Sequence, residues 1–176
     1  MGQKKLIIVA HPNIRQSAIN KRWVEEVSKY PQDYTVHNIY DAYPDWKIDV
    51  EKEQHLLEQY DTIVFQYPMF WFNCPPLVKK YLDDVFAYGW AFGSKGIKLR
   101  GKKFAIAVST GNSASDYQVD GRCHITVGNL LQPFKTTAEF CGMTYEGFHT
   151  LNDRPHVTPE ILEEDAKAYL SFLRGL

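Results

Sequence analysis

A chain of 176 residues with 44% hydrophobic side chains has enough apolar material for one well-buried core and no room for a second domain of ordinary size, so residues 1–176 are expected to form a single domain. A net charge of −1, without a basic stripe or a long block of like charges, argues against nucleic acid and for a small-molecule partner. Cys74, Cys123 and Cys141 are too far apart for a disulfide framework or a metal knuckle, and the apolar run 6–10 is too short for a signal core or membrane span, which predicts a cytoplasmic protein without a metal.

Residues 5–10 are a continuous β-branched and apolar run, the pattern of a strand buried on both faces of a parallel sheet. In 17–27, Ile19, Trp23, Val24 and Val27 recur at helical spacing, and Pro31 stops the helix soon afterwards. Residues 34–39 read as a second strand, 41–50 have no clear period, and 51–59 form a short polar helix with Leu56 and Leu57 inward. The third strand is 62–66, followed by an aromatic loop, 67–73, and a helix opened by Pro75-Pro76. Residues 103–108 are the fourth strand and lead into the small, polar stretch 109–115 and Tyr117. Apolar positions from 126 to 141 predict a helix interrupted or bent by Pro133 and ended by Gly142. The fifth strand is 143–150, and 160–173 is an amphipathic helix behind Pro159.

Strands alternating with helices in this way predict an α/β fold of flavodoxin-like type: a five-stranded parallel sheet of order 2-1-3-4-5 with helices on both faces. Its ligand crevice lies at the carboxyl ends of strands one, three and four. Three segments meet there. The first, 11–20, runs into a helix N-terminus, where unpaired N–H groups favour phosphate and Ser17 and Asn20 can add donors; a plain helix cap at Ser17 and a surface His11 are the alternative. No glycine-rich phosphate fingerprint stands here. The second segment crowds Met69, Phe70, Trp71 and Phe72 into a loop, as suits a flat ligand, with core packing or a subunit contact as the alternative. The third adds small residues and Tyr117, whose phenol can donate to charge developing on a ligand.

Together, His11-Pro12 with Ser17-x-x-Asn20, the run Gln66-Tyr67-Pro68-Met69-Phe70-Trp71, the stretch 84–93 and Ser109-Thr110-Gly111 resemble the flavodoxin-like NAD(P)H:quinone oxidoreductases over nearly the whole chain. Short bacterial members are nearest in length, including the ancillary flavoprotein subunits of glutathione-gated potassium efflux systems. The resemblance implies a bound flavin, FMN rather than the FAD of longer relatives. His11, Ser17, Ala18, Ile19 and Asn20 would surround its phosphate side, and Pro68, Met69, Phe70 and Trp71 would lie along the isoalloxazine. Ser109, Thr110, Gly111 and Asn112 would complete the ring site. It further implies catalytic roles for Tyr117 and for His124, the nearest match to a histidine of the family's fourth loop. NADPH or NADH would be the donor in a two-electron, ping-pong hydride transfer to a quinone or similar acceptor. A homodimer is implied too, with residues 86–92 and Trp90 in its interface, and, as an alternative role, regulation of a potassium efflux transporter at its cytosolic face. A one-electron carrier of true flavodoxin type is disfavoured, because no Thr- and Gly-rich loop follows strand one.

Overall fold

The apolar runs pair side by side in a computed structural model that describes residues 4–176. Strands β1 (Lys5–Val9), β2 (Tyr34–Asn38), β3 (Thr62–Pro68), β4 (Lys103–Ser109) and β5 (Thr144–Leu151) form one parallel sheet in the order β2-β1-β3-β4-β5. Helices α1 (Ile19–Val27), α2 (Ile39–Ala42), α3 (Val50–Glu58), α4 (Pro76–Val85), α5 (Val127–Leu130), α6 (Gln132–Phe140) and α7 (Pro159–Gly175) make the crossovers. None of the described helices is long and apolar enough to cross a membrane.

Strand side chains alternate between two cores, so a strand in the middle of the sheet must be apolar at every position. Leu6, Ile8, Phe65 and Phe104 pack with Leu57 of α3, Leu77 and Tyr81 of α4 and Phe134 of α6. Ile7, Val9, Val64 and the small Ala105 and Ala107 share the opposite core with Trp23 of α1 and Tyr169 and Leu173 of α7. The first core also contains a carboxylate. Glu53 of α3 is fully buried, accepts hydrogen bonds from the Tyr43 hydroxyl at 2.6 Å and the Tyr81 hydroxyl at 2.8 Å, and lies 2.9 Å from His37 Nε2.

Several boundaries differ from the expected ones, each for a local reason. β3 runs on to Pro68, because Tyr67 and Pro68 pair with Val108 and Ser109. Tyr67 is therefore core rather than loop, with its ring centroid 5.6 Å from that of Phe134. Ile39 begins α2 instead of ending β2: the Asn38 side chain accepts from the Tyr40 N–H and caps a helix there. Of the two alternatives for 126–141, the helix is interrupted rather than bent, and the break falls at Leu131, two residues before Pro133. Thr126 caps α5, and Pro133 sits in the first turn of α6, where its missing N–H costs nothing, so a new helix starts instead of an old one bending.

The stretch 86–92 is divided between core and surface. Phe86 and Ala91 are buried, the Trp90 indole donates inward to Glu58 at 2.9 Å, and Tyr88 is 75% exposed. The Tyr88, Phe92 and Phe140 rings follow one another at centroid distances of 5.7 and 5.4 Å, and Phe140 is exposed as well.

Candidate functional site

A cleft of about 390 Å³ opens at the carboxyl ends of β1, β3 and β4. The β1–α1 segment contributes His11, Asn13, Gln16, Ser17 and Ile19; the end of β3 contributes Pro68, Met69 and Phe70; and the end of β4 contributes Ser109, Thr110 and Gly111. Arg154, from the segment after β5, closes it. Met69 and Gly111 also border an adjoining recess of about 200 Å³, whose other walls are Trp71, Phe72, Asn112 and Tyr117.

The β1–α1 segment keeps both readings of Ser17. Its Oγ accepts the Asn20 N–H at 3.0 Å, a helix-capping bond, while the residue also lines the cleft. His11 Nδ1 accepts the Asn13 N–H at 3.0 Å, which assigns the ring proton to Nε2. Burial, with Arg154 nearby, pushes the imidazole below its ordinary pKa, so at neutral pH His11 is an uncharged donor. Ala18 is exposed and lines neither recess, whereas Ile19 reaches the cleft wall.

Asn20 is 1% exposed and does not line the cleft but lies behind it. Its Nδ2 donates to Ser109 Oγ at 2.8 Å, and its backbone carbonyl accepts from Gln66 Nε2 at 3.0 Å. Gln66 Oε1 in turn accepts from the Tyr169 hydroxyl at 3.0 Å. This chain of bonds has a direction. Because Ser109 Oγ is the acceptor from Asn20, its own proton is left to donate to the cleft. The available sequence signal was Gln66 itself, a polar residue in the interior of a mostly apolar strand, which has to find buried partners. Gln66→Leu leaves the Tyr169 hydroxyl without an acceptor and Asn20 without its donor. It is expected to cost about 2 kcal/mol, and a melting temperature unchanged from the parent would contradict the linkage.

The aromatic loop turns outward. Trp71 (φ 47°) and Phe72 (φ 60°) both lie in the left-handed region, and Phe70 and Asn73 exchange backbone hydrogen bonds of 2.8 and 2.9 Å across them. That tight turn leaves Trp71 94% exposed, on the rim of the second recess rather than on the cleft floor. Tyr117 is 5% exposed, set edge-on to Phe72, with its hydroxyl beside the Thr110 and Asn112 side chains. Burial raises its pKa, so the phenol keeps its proton. A further recess of about 320 Å³ lies on the other side of Tyr117.

His124 is exposed and lines none of these recesses, because residues 121–124 close a turn in which its N–H donates to the Gly121 carbonyl at 3.0 Å. Cys123 is the neighbour that faces inward, accepting from Asn112 Nδ2 at 3.4 Å. Arg154 stood outside the sequence expectations, which looked only past strands one, three and four. Its backbone explains its presence: the Arg154 N–H donates to the Thr110 carbonyl at 3.2 Å and the Asp153 N–H to the Asn112 carbonyl at 2.8 Å, which fastens the segment after β5 to the end of β4.

Comparison with known proteins adds to this geometry. Residues 3–173 match the model of a protein family described as having a flavodoxin-like fold. The chain is 42% identical over 172 residues to the uncharacterized NAD(P)H oxidoreductase YrkL of Bacillus subtilis, covering 98% of each protein. It is 41% identical over 140 residues to the glutathione-regulated potassium-efflux system ancillary protein KefF of Klebsiella pneumoniae, covering 80% of this chain and 77% of KefF. Among solved structures, general stress protein 14 of Treponema denticola in complex with FMN is 45% identical and superposes with a TM-score of 0.92 over 98% of each chain.

Proposed function

The chain belongs to the flavodoxin-like fold family, and on that basis we propose that it is an FMN-binding oxidoreductase that spends NADPH or NADH on the two-electron reduction of a quinone or similarly flat acceptor. The observation that carries this reading is the pairing of two unlike regions along one opening. One end holds the neutral His11 donor, Ser17 and the Arg154 cation; the other holds Met69, Phe70 and, in the adjoining recess, Trp71 and Tyr117. A ligand with a phosphate at one end and a planar ring at the other fits that donor set. YrkL bears the name NAD(P)H oxidoreductase, and the similar Treponema protein holds FMN, which supports the same choice.

Bound FMN supplies the hydride chemistry; the chain supplies binding, orientation and electrostatics. His11 Nε2–H and Arg154 would hold the phosphate, the Ser109 hydroxyl would donate to the body of the cofactor, and Pro68, Met69 and Phe70 would line the ring. Tyr117 offers its retained proton to negative charge at the ring edge, without help from His124. If one cleft serves both, donor and acceptor would take turns in it, in ping-pong order. The exposed Tyr88 and Phe140 rings, with the half-buried Phe92 between them, form the surface through which two copies pair, with Trp90 behind it.

The similarity to KefF supports a second reading, in which the same flavin domain docks on the cytosolic part of a potassium efflux protein. The same flavin site serves both readings, so they part on a partner, and co-purification with a membrane protein is the result that favours the second. The oxidoreductase reading is tested by an absorbance spectrum of the purified protein, release and identification of the flavin, and an assay of NAD(P)H-dependent quinone reduction. FMN with turnover is expected. Absence of flavin binding even after reconstitution overturns the proposal.

A further inference from the structure

Arg154 is the only Lys, Arg, Asp or Glu among the residues lining the cleft, so an arginine faces a set of neutral donors with no carboxylate to balance it. The carboxylate next to it in sequence, Asp153, is already taken by His156 Nδ1 at 2.7 Å. Arg154 forms no ion pair among the described residues. Its base is held firmly. The left-handed Asp153 (φ 62°) turns the chain back, the Asp153 and Arg154 N–H groups bond carbonyls of the β4 segment, and residues 154–156 form a single tight turn.

We propose that Arg154 is the charge-reading residue for a phosphate monoester at the His11–Ser17 end of the cleft, and that this phosphate is the terminal group of FMN. The inference rests on the FMN reading above and adds the group that sets its selectivity. A phosphate monoester carries close to two negative charges at neutral pH, about −1.5 to −2. His11 is neutral there, and the Ser17 hydroxyl, which accepts from the Asn20 N–H, keeps a proton to donate but carries no charge, so neither can match that charge. Guanidinium is suited to it, because its planar fork presents two parallel N–H donors to two phosphate oxygens. Riboflavin has the same ring and ribityl chain without the phosphate, and Arg154 gives it nothing.

The same phosphate chemistry could reach the cleft on the ribose of NADPH, and the experiment separates the two sources. Flavin-free protein and its Arg154→Met and Arg154→Lys variants are titrated with FMN and with riboflavin by quenching of flavin fluorescence, and the KM values for NADPH and NADH are compared in the FMN-loaded forms. The expected result for Arg154→Met is FMN binding weaker by roughly twentyfold, with riboflavin binding within twofold of the parent and a flatter dependence of FMN affinity on salt. Arg154→Lys should recover part of the loss, since it keeps the charge but not the fork. Equal weakening of both flavins, an unchanged FMN affinity, or an effect confined to the KM for NADPH each overturns the assignment. Failure of the parent protein to bind either flavin would instead overturn the FMN reading itself.

Discussion

Tyr117→Phe is expected to slow NAD(P)H-dependent turnover about a hundredfold while leaving FMN affinity within a few-fold of the parent. The phenol is nearly fully enclosed, and its burial keeps the proton on oxygen, so the group is a fixed donor rather than a titrating one. A donor already oriented where charge develops needs no reorganisation during the reaction, and loss of one such donor from an enclosed site typically costs about two to three powers of ten in kcat. The neighbours are otherwise engaged: His124 is exposed and outside the three recesses, the Thr110 hydroxyl is committed to Asn152 Oδ1 at 2.8 Å, and Asn112 Nδ2 donates to Cys123 Sγ at 3.4 Å. Phenylalanine preserves the ring that meets Phe72, so binding and rate should separate. Stopped-flow reduction of the bound flavin by NADPH measures this directly, and a rate within threefold of the parent would remove Tyr117 from the chemistry.

The second large effect is on stability. Glu53→Leu is expected to destabilise the fold by about 3–5 kcal/mol, which in a chain of this size lowers the melting temperature by about 10 °C. Burial alone would raise the Glu53 carboxyl, but hydrogen bonds with His37, Tyr43 and Tyr81 outweigh it and hold its pKa below the ordinary carboxylate value. The leucine leaves the Tyr43 and Tyr81 hydroxyls without the acceptor for their protons. The sign of the pH dependence follows from the lowered pKa. The carboxylate's contribution is complete above the unfolded-state value of about 4.3 and is lost as pH falls through the lower, folded-state value. Glu53→Gln, which cannot ionise, should therefore unfold with a shallower acid limb than the parent. Thermal melts between pH 3 and pH 7 test both variants, and parallel acid limbs would show that Glu53 is not the titrating group.

The sheet was legible because a strand covered on both faces must be apolar at every position, as 6–9, 63–65 and 104–108 are. Strand ends were harder to read. Ile39 has the composition of a strand residue, and only the side chain of Asn38, bonding forward to Tyr40, makes it the start of a helix. Pro133 reads equally well as a kink or as a helix start, and the sequence does not show that Leu131 ends one helix before the proline opens the next. The three cleft-lining segments were identifiable from topology, since they follow the strand ends that meet at the switch point. Within them, the direction of individual side chains was not. Asn20 points into the sheet because Gln66 and Ser109 wait for it there, and Trp71 points outward because two consecutive left-handed residues lift it. Arg154 was invisible for a different reason. It belongs to a segment that reaches the cleft only through backbone bonds to residues more than forty positions earlier.

The bonds behind Ser109 also bear on when the cleft takes shape. They join residues 46, 89 and 103 positions apart, from the first helix through two central strands to α7. Contacts that distant in sequence close late, after most of the loop entropy has been overcome. A folding intermediate lacking α7 would have its strands aligned while Gln66, Asn20 and Ser109 were still free to turn. The cofactor would then be captured by a finished protein instead of serving as a template for folding, and flavin-free chains should refold to the same sheet at nearly the same rate as loaded ones.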